Sequence, residues 1–118
     1  MNSDICEIQS INPVAVEEVK KTLPGIDLLI RVAGYFKFLS DPTRLNIVAS
    51  LMTSELCVCD IAHITGVSVS AVSHQLRYLK AGGILKSKKD GKMVYYSLKD
   101  EHFRLLILQA LEHADEKE

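Results

Sequence analysis

Two short amphipathic segments joined by a glycine turn constrain the fold of this chain most. The segment from Val58 to Thr65 has apolar residues at helical spacing, and Gly66 suits the left-handed conformation that ends a helix. Ser68 can cap a second helix that runs to about Lys80. Its expected core positions are Val69, Val72, Leu76 and Leu79. A short helix, a tight turn and a second helix with a polar outer side predict a helix-turn-helix.

A basic hairpin follows the second helix. Gly82 and Gly83 end that helix, and the next segment, 84–98, contains an Asp90-Gly91 pair that favours a two-residue turn. Four lysines flank the turn, namely Lys86, Lys88, Lys89 and Lys92. A β-hairpin in this position predicts a wing. The expected fold class is therefore mainly α with a small β-hairpin, a winged helix-turn-helix.

The rest of the chain reads as one folded domain, 13–118, preceded by a flexible N-terminal arm, 1–12. Ile26 to Leu39 is a strongly apolar helix, and Pro42 opens the next helix at its first turn. A last helix opens at Asp100 and is apolar enough to serve dimerisation. With no run of 18 apolar residues and no signal-peptide pattern, we expect a cytoplasmic protein that does not span a membrane and keeps its cysteines reduced.

Positive charge is concentrated in one block. The whole chain carries −1, but residues 68–92 hold six lysines and arginines and one aspartate, between acidic flanks. Such a block is typical of a phosphate-binding surface, although a solvated charged face explains the charge alone equally well. The candidate DNA-contacting residues are Ser70, Ser73, His74, Gln75, Arg77, Lys88 and Lys89. Gln and Arg can read base edges and lysines bind phosphates, whereas His74 has a competing structural role in bonding a helix end.

Several motifs resemble those of a known family. They are Leu39-Ser40-Asp41-Pro42-Thr43-Arg44, Glu55-Leu56-Cys57-Val58-Cys59-Asp60, Ser70-Ala71-Val72-Ser73-His74-Gln75-Leu76, the Asp-Gly wing and the terminal Asp-x-His…His-x-x-Glu. In these the chain resembles the ArsR/SmtB metal-sensing winged-helix repressors. The paired cysteines and Asp4-Ile5-Cys6-Glu7-Ile8 are most similar to its CadC-like cadmium, lead and zinc sensors. Ser10 departs from that pattern, because the branch commonly has a second arm cysteine there.

The resemblance implies a metal-responsive transcriptional repressor. A metal-free homodimer would bind operator DNA, and zinc, cadmium or lead would release it and derepress a metal-efflux gene. A dimer would read an inverted repeat. No nucleophile–base motif, phosphate loop or open catalytic metal site is recognisable in the sequence, so an enzyme is not expected.

Cys57 and Cys59 form the softer of two candidate metal sites. Two residues apart, they point roughly 200° apart in a regular helix, so they converge only if Cys57 lies at or before the helix start. By the resemblance, Cys6 would add a third thiolate across the dimer, and Asp60 or a water would complete the shell. The alternatives are an inert buried cysteine, a Cys59–His63 pair, and a dithiol switch in a thiol-oxidation-sensing repressor.

The last helix carries the second candidate site. His102 and His113 are 11 residues apart, which is about 16 Å along a helix and too far to share one ion. An antiparallel second copy would bring Asp100 and His102 of one chain to His113 and Glu116 of the other. Four such nitrogen and oxygen ligands suit tetrahedral zinc, and two-fold symmetry would create two sites. The alternative is that all four are plain surface residues.

Overall fold

The computed structural model describes residues 11–116 and consists of six helices and one hairpin in that range. By its internal contacts the chain divides between Arg31 and Val32 into two units. The elements are α1 (Pro13–Thr22), α2 (Ile26–Phe38), α3 (Pro42–Ser50), α4 (Val58–Thr65), α5 (Val69–Ala81), β1 (Leu85–Asp90), β2 (Met93–Leu98) and α6 (Glu101–Asp115). The first unit holds α1 and the start of α2, and the second holds the winged helix-turn-helix and α6.

Side-chain caps set where four of the helices begin. Oxygens of Asn12, Asp41, Ser68 and Asp100 each accept a hydrogen bond from the backbone N–H three residues later, at 3.0 to 3.3 Å. Each cap satisfies a donor that has no partner inside its helix, and losing one costs about 0.5–2 kcal/mol. The predicted starts after Asp41, Ser68 and Asp100 are confirmed. Asn12, which the sequence placed in the arm, instead caps α1.

The core of the second unit joins α3, α4 and α5 to the base of the hairpin. Eight side chains are essentially inaccessible: Ile47, Val48, Ile61, Val72, Leu76, Leu79, Ile84 and Leu85. The expectation that Val69 belongs to this core is wrong, because 49% of its surface is exposed. Val69 is the first residue of α5 and lies one turn before Val72. The buried stripe of α5 therefore begins at Val72.

The hairpin is antiparallel, and Leu85 at its base pairs with Leu98. Asp90 pairs with Met93, so the two-residue loop is Gly91-Lys92, one position later than the Asp90-Gly91 turn expected from the sequence. Gly91 adopts φ +63°, which a side chain would disfavour and which a hairpin loop of this length requires at its first residue. The predicted two-residue loop containing Gly91 is therefore confirmed, but it begins one residue later than expected.

Helix α6 buries little of its apolar surface within the chain. Ile107 is buried, but Leu105, Leu106 and Leu111 are each more than a third exposed. A helix that leaves this much apolar surface exposed is usually covered by another element or another chain. Across residues 11–116, the helices are too short or too polar to cross a lipid bilayer.

Candidate nucleic-acid interface and metal ligands

Helix α5 presents one side to the core and the other to solvent. Gly66 ends α4 in the left-handed conformation at φ +75°, and Ser68 caps α5 two residues later. Val72 and Leu76 lie on the side of α5 that faces the core, and both are completely buried. The opposite side is available to enter a DNA groove, as the second helix of a helix-turn-helix does.

The five predicted contact residues of α5 do not lie in equivalent places. Ser70, His74 and Arg77 are exposed and follow one another at helical spacing along the outer side. Ser73 and Gln75 are half-buried, and their positions lie about 200° apart around the helix. We therefore define the exposed strip as Ser70, His74 and Arg77, with Ser73 and Gln75 at its two edges.

The two wing lysines point to opposite faces of the hairpin, because Lys88 and Lys89 are neighbours in β1. Nζ of Lys88 lies 3.2 Å from Oε1 of Glu55. Lys89 shares its face with Ser87, whose hydroxyl lies 2.7 Å from Nζ of Lys80 on α5. The face of the wing that carries Lys89 is thus the one next to α5.

Lys80 was not among the predicted contact residues. Its hydrogen bond to Ser87 joins the end of α5 to the wing and adds a positive charge beside Lys89. The signal that could have found it is its place in the basic block. The partner residue, Ser87, carries no such signal in the sequence.

Cys57 lies at the N-cap of α4, as the sequence required for the two thiols to approach each other. Its backbone is extended, with φ −86° and ψ 169°, and its side chain makes no capping hydrogen bond. Cys57 is 7% exposed, whereas Cys59 is exposed and both are free thiols. Of the two cysteines, Cys57 is therefore the buried one. Cys6 and Ser10 lie outside the described residues.

The segment before Cys57 is bound to the wing. Leu56 and Tyr96 exchange two backbone hydrogen bonds, at 3.1 and 2.8 Å, and form an antiparallel bridge. Together with the ion pair between Glu55 and Lys88, this isolated bridge ties residues 55–56 to the hairpin. The start of α4 and the wing are thus one connected structure.

The four nitrogen and oxygen ligands predicted on the last helix form one pair at each of its ends. Oδ2 of Asp100 lies 3.7 Å from Nδ1 of His102, while Oδ1 caps the helix. Oε1 of Glu116 lies 3.8 Å from Nδ1 of His113. Helix α6 ends at Asp115, and Glu116 is its extended C-cap, so this second pair joins the last turn of the helix to the residue just after it.

Glu101 is occupied by a different partner. The Arg104 guanidinium binds both of its carboxylate oxygens, and this hydrogen bonding holds the pKa of Glu101 below its ordinary value. Glu101 is therefore not a third ligand beside Asp100 and His102. Within the described part of one chain, histidine, cysteine, aspartate and glutamate side chains do not form a cluster of three or more able to hold a metal.

The fold and the exposed, basic side of α5 and its wing define a DNA-binding protein of the winged helix-turn-helix class. Residues 41–87 match the family model described as "Bacterial regulatory protein, arsR family". The chain belongs to the ArsR family, and it is a transcriptional regulator and not an enzyme.

Individual relatives are similar over nearly the whole chain. A Staphylococcus aureus protein named as a CadC homolog, a cadmium resistance transcriptional regulatory protein, is 45% identical over 98% of this chain and 96% of its own. A Synechocystis homolog of the transcriptional repressor SmtB is 37% identical over 97% and 86%. Among solved structures, the homodimeric winged helix-turn-helix domain of a possible ArsR-family regulator from Mycobacterium bovis has a TM-score of 0.71. It is 29% identical, covering 93% of this chain and 91% of that one.

Proposed function

We propose that this protein is a cytoplasmic, metal-responsive transcriptional repressor. As a metal-free homodimer it binds operator DNA, and zinc, cadmium or lead releases it and derepresses a metal-efflux gene. The observation that carries this proposal is the position of Cys57. It starts the first helix of the DNA-binding motif, and the residue before it is hydrogen-bonded to the wing.

Dimerisation through the terminal helices accounts for the exposed leucines of α6. Fully burying a leucine from full exposure is worth about 1.5–3 kcal/mol, so covering the exposed half or less of a side chain such as Leu111 contributes roughly half of that or less. The homodimeric state of the Mycobacterium bovis domain supports the same assembly for this chain. A two-fold dimer presents two α5 helices, which fits an inverted repeat with half-sites about one helical turn apart or a multiple of it.

The donor sets favour two kinds of ion. Thiolates of Cys57 and Cys59, with Cys6 from the arm, suit soft ions such as cadmium and lead. The names of the CadC relatives, which refer to cadmium resistance, support this part of the proposal. We also propose the domain arrangement of an N-terminal arm followed by a folded part over 13–118, with Asn12 as the cap of its first helix.

The second donor set consists of nitrogen and oxygen ligands and needs two chains. Each end of α6 supplies one histidine and one carboxylate within 4 Å of each other, which is half of a tetrahedral site. In an antiparallel dimer, Asp100 and His102 meet the partner's His113 and Glu116 and can hold zinc. The similarity to an SmtB homolog agrees with a place in this family but does not choose between the two sites.

Coupling from the thiolates to DNA follows from the Leu56–Tyr96 bridge. A metal that draws Cys57 and Cys59 together changes the backbone immediately after Leu56, and the bridge transmits that change to β2. Release needs differential binding of metal to the DNA-free form, and a full reversal of population needs about 5.5 kcal/mol.

The test measures release of the protein from operator DNA by each metal under reducing conditions. It compares the unsubstituted protein with Cys57→Ser and with His113→Ala. Cadmium or lead should release the unsubstituted protein, and Cys57→Ser should stay bound if the thiolates regulate. If His113→Ala alone stays bound, the α6 site is the sensor, and its nitrogen and oxygen ligands make zinc the expected inducer. The thiol-oxidation-sensing alternative would be established instead if metal did not release the protein, and if mild oxidation released it and formed a Cys57–Cys59 disulfide.

A further inference from the structure

The side chain of Arg44 connects three helices of the second unit. Arg44 lies in the first turn of α3, and its Nε donates a hydrogen bond to the carbonyl of Phe38 at 2.6 Å. A second donation from the guanidinium reaches the carbonyl of Lys37 at 3.4 Å. Both carbonyls belong to the last turn of α2, where helix carbonyls have no partner within the helix. Arg44 therefore fastens the end of α2 to the start of α3.

The same guanidinium stacks on Tyr78 of α5. Its Cζ lies 5.0 Å from the centroid of the Tyr78 ring, which is cation–π geometry. The ring of Phe38 also packs on Tyr78, with 4.5 Å between the centroids. Tyr78 is thus held by Arg44 and Phe38, one residue from α3 and one from α2.

This contact holds α5 at a different side from the core. Leu79 anchors the helix in the core, and Tyr78, one residue earlier, projects about 100° away around the helix axis. The buried stripe of Val72, Leu76 and Leu79 opposes a roll of α5 from one side, and the contacts of Tyr78 oppose it from a second side. The exposed strip of Ser70, His74 and Arg77 moves as a unit with any such roll.

We propose that Arg44 is a positioning residue for DNA recognition, which fixes the rotation of α5 by holding Tyr78 and does not itself contact DNA. The inference rests on the operator binding proposed above. Base contacts require side chains in a defined place, whereas lysine–phosphate attraction tolerates displacement. Arg44 therefore governs the preference for operator over random DNA and has little effect on binding to DNA as such.

Lysine cannot replace arginine in this arrangement. A guanidinium is a planar fork that can donate to two carbonyls while its face stacks on a ring, and an ammonium is a compact point charge. Arg44→Lys consequently preserves the charge and removes the combined contacts of the guanidinium with the carbonyls of α2 and the ring of Tyr78, which we call the clamp. Arg104→Lys is a matched control, because Arg104 lies on α6 and pairs with Glu101.

The test measures binding of metal-free Arg44→Lys, Arg44→Gln and Arg104→Lys to two DNA duplexes across a range of salt. One duplex is selected from a random-sequence pool by the unsubstituted protein, and the other has a scrambled sequence. For both Arg44 variants we expect about a tenfold loss on the selected duplex, as for losing one good base contact. Affinity for the scrambled duplex and its salt slope should stay unchanged, which also shows that the variants are folded. The control should match the unsubstituted protein on both duplexes.

Two results would overturn the proposal. An unchanged affinity for the selected duplex means that α5 does not depend on the clamp. An equal loss on both duplexes also contradicts the proposal, because the preference for the selected duplex is then unchanged. If Arg44→Gln, which removes the charge, lowers the salt slope by about one and Arg44→Lys does not, Arg44 contacts a phosphate directly. Because metal is absent throughout, a failure of cadmium or zinc to release DNA would count against the proposed function alone.

A double-substitution cycle tests the route through Tyr78. If Arg44 acts by holding that ring, Tyr78→Leu should reproduce the loss of preference for the selected duplex. The double variant Arg44→Lys/Tyr78→Leu should then lose no more than the weaker-binding single variant. Losses that simply add would show independent roles and would contradict the clamp.

Discussion

The backbone N–H of Tyr96 donates a hydrogen bond to the carbonyl of Leu56 at 2.8 Å, and the N–H of Leu56 donates to the carbonyl of Tyr96 at 3.1 Å. This reciprocal pair joins residues 40 positions apart in the chain, and it places the segment before Cys57 against the second wing strand. Glu55, the preceding residue, reaches Lys88 on the first wing strand.

Removing the charge of Glu55 should strengthen DNA binding. Lys88 is paired with Glu55 at 3.2 Å and must give up this partner to bind a phosphate. Exposed ion pairs are worth about 0.2–1 kcal/mol, so Glu55→Gln should raise affinity for any duplex by up to about fivefold. Glu112→Gln makes the same change in net charge on α6 and should have a smaller effect. Equal effects of the two variants, measured by fluorescence anisotropy, would show that only net charge matters.

The two wing lysines should contribute unequally. Lys89 lies on the face next to α5 and is not paired with Glu55, whereas Lys88 is. Lys89→Ala should therefore weaken both operator and random DNA more than Lys88→Ala does. It should lower the salt slope by about one, because each neutralised phosphate releases about 0.9 counterion. An identical salt dependence of the two variants would contradict the assignment of faces.

Introducing a carboxylate on the exposed apolar surface of α6 should break the dimer without unfolding the chain. Leu111 is 50% exposed, so Leu111→Glu removes little packing inside one chain but buries a carboxylate in the expected interface. Sedimentation at micromolar concentration should show a dimer for the unsubstituted protein and a monomer for the variant. Ile64→Glu, at an equally exposed apolar position on α4, should remain dimeric. A monomeric unsubstituted protein would remove the proposed site at the ends of α6.

Cadmium or lead should give a sulfur-to-metal charge-transfer band of about three thiolates, because Cys6, Cys57 and Cys59 can supply three and Ser10 supplies none. Cys57→Ser should abolish the band. His113→Ala should keep it and lose only the second, nitrogen- and oxygen-bound ion, as metal analysis after dialysis would record. A band of four thiolates would show that the ligand set is different.

Adding a methyl group at Gly82 should destabilise the fold. A Cβ on Gly82 would lie 2.6 Å from Cε2 of Phe38, whose ring also packs on Tyr78 and cannot move without breaking that contact. Overpacking of this kind costs about 1–3 kcal/mol, which exceeds the gain of about 0.4–1 kcal/mol from a stiffer unfolded chain. Thermal unfolding of Gly82→Ala should therefore shift down by several degrees. Gly25→Ala, which meets no atom within 4 Å, should not shift downward.

Local features of this chain could be read from its sequence. Asp41, Ser68 and Asp100 cap helices because their side chains reach a backbone donor three residues away, and Gly66 ends a helix because it tolerates a left-handed backbone. Each of these interactions spans a few residues, so a short stretch of sequence contains both partners.

Contacts between distant segments could not be read in the same way. Leu56 and Tyr96 pair through backbone atoms that every residue has, and the contact of Arg44 with Tyr78 spans 34 positions. The exposure of Val69 was missed for a related reason, because helical spacing gives a direction but does not say which neighbour lies there. The metal ligands remain predictions, since completing either site needs a second chain or the arm.

The burial of Cys57 imposes an order on any capture of a thiophilic ion. Cys59 is exposed at the first turn of α4, while Cys57 is only 7% exposed at the start of that helix. An arriving ion would therefore meet Cys59 first, and binding to Cys57 would follow once the start of α4, which is hydrogen-bonded to Tyr96 through Leu56, opened. If this opening is the slow step, the observed rate of metal capture would level off at high metal concentration at the opening rate, and the bridge to the wing strand would limit the speed of the response.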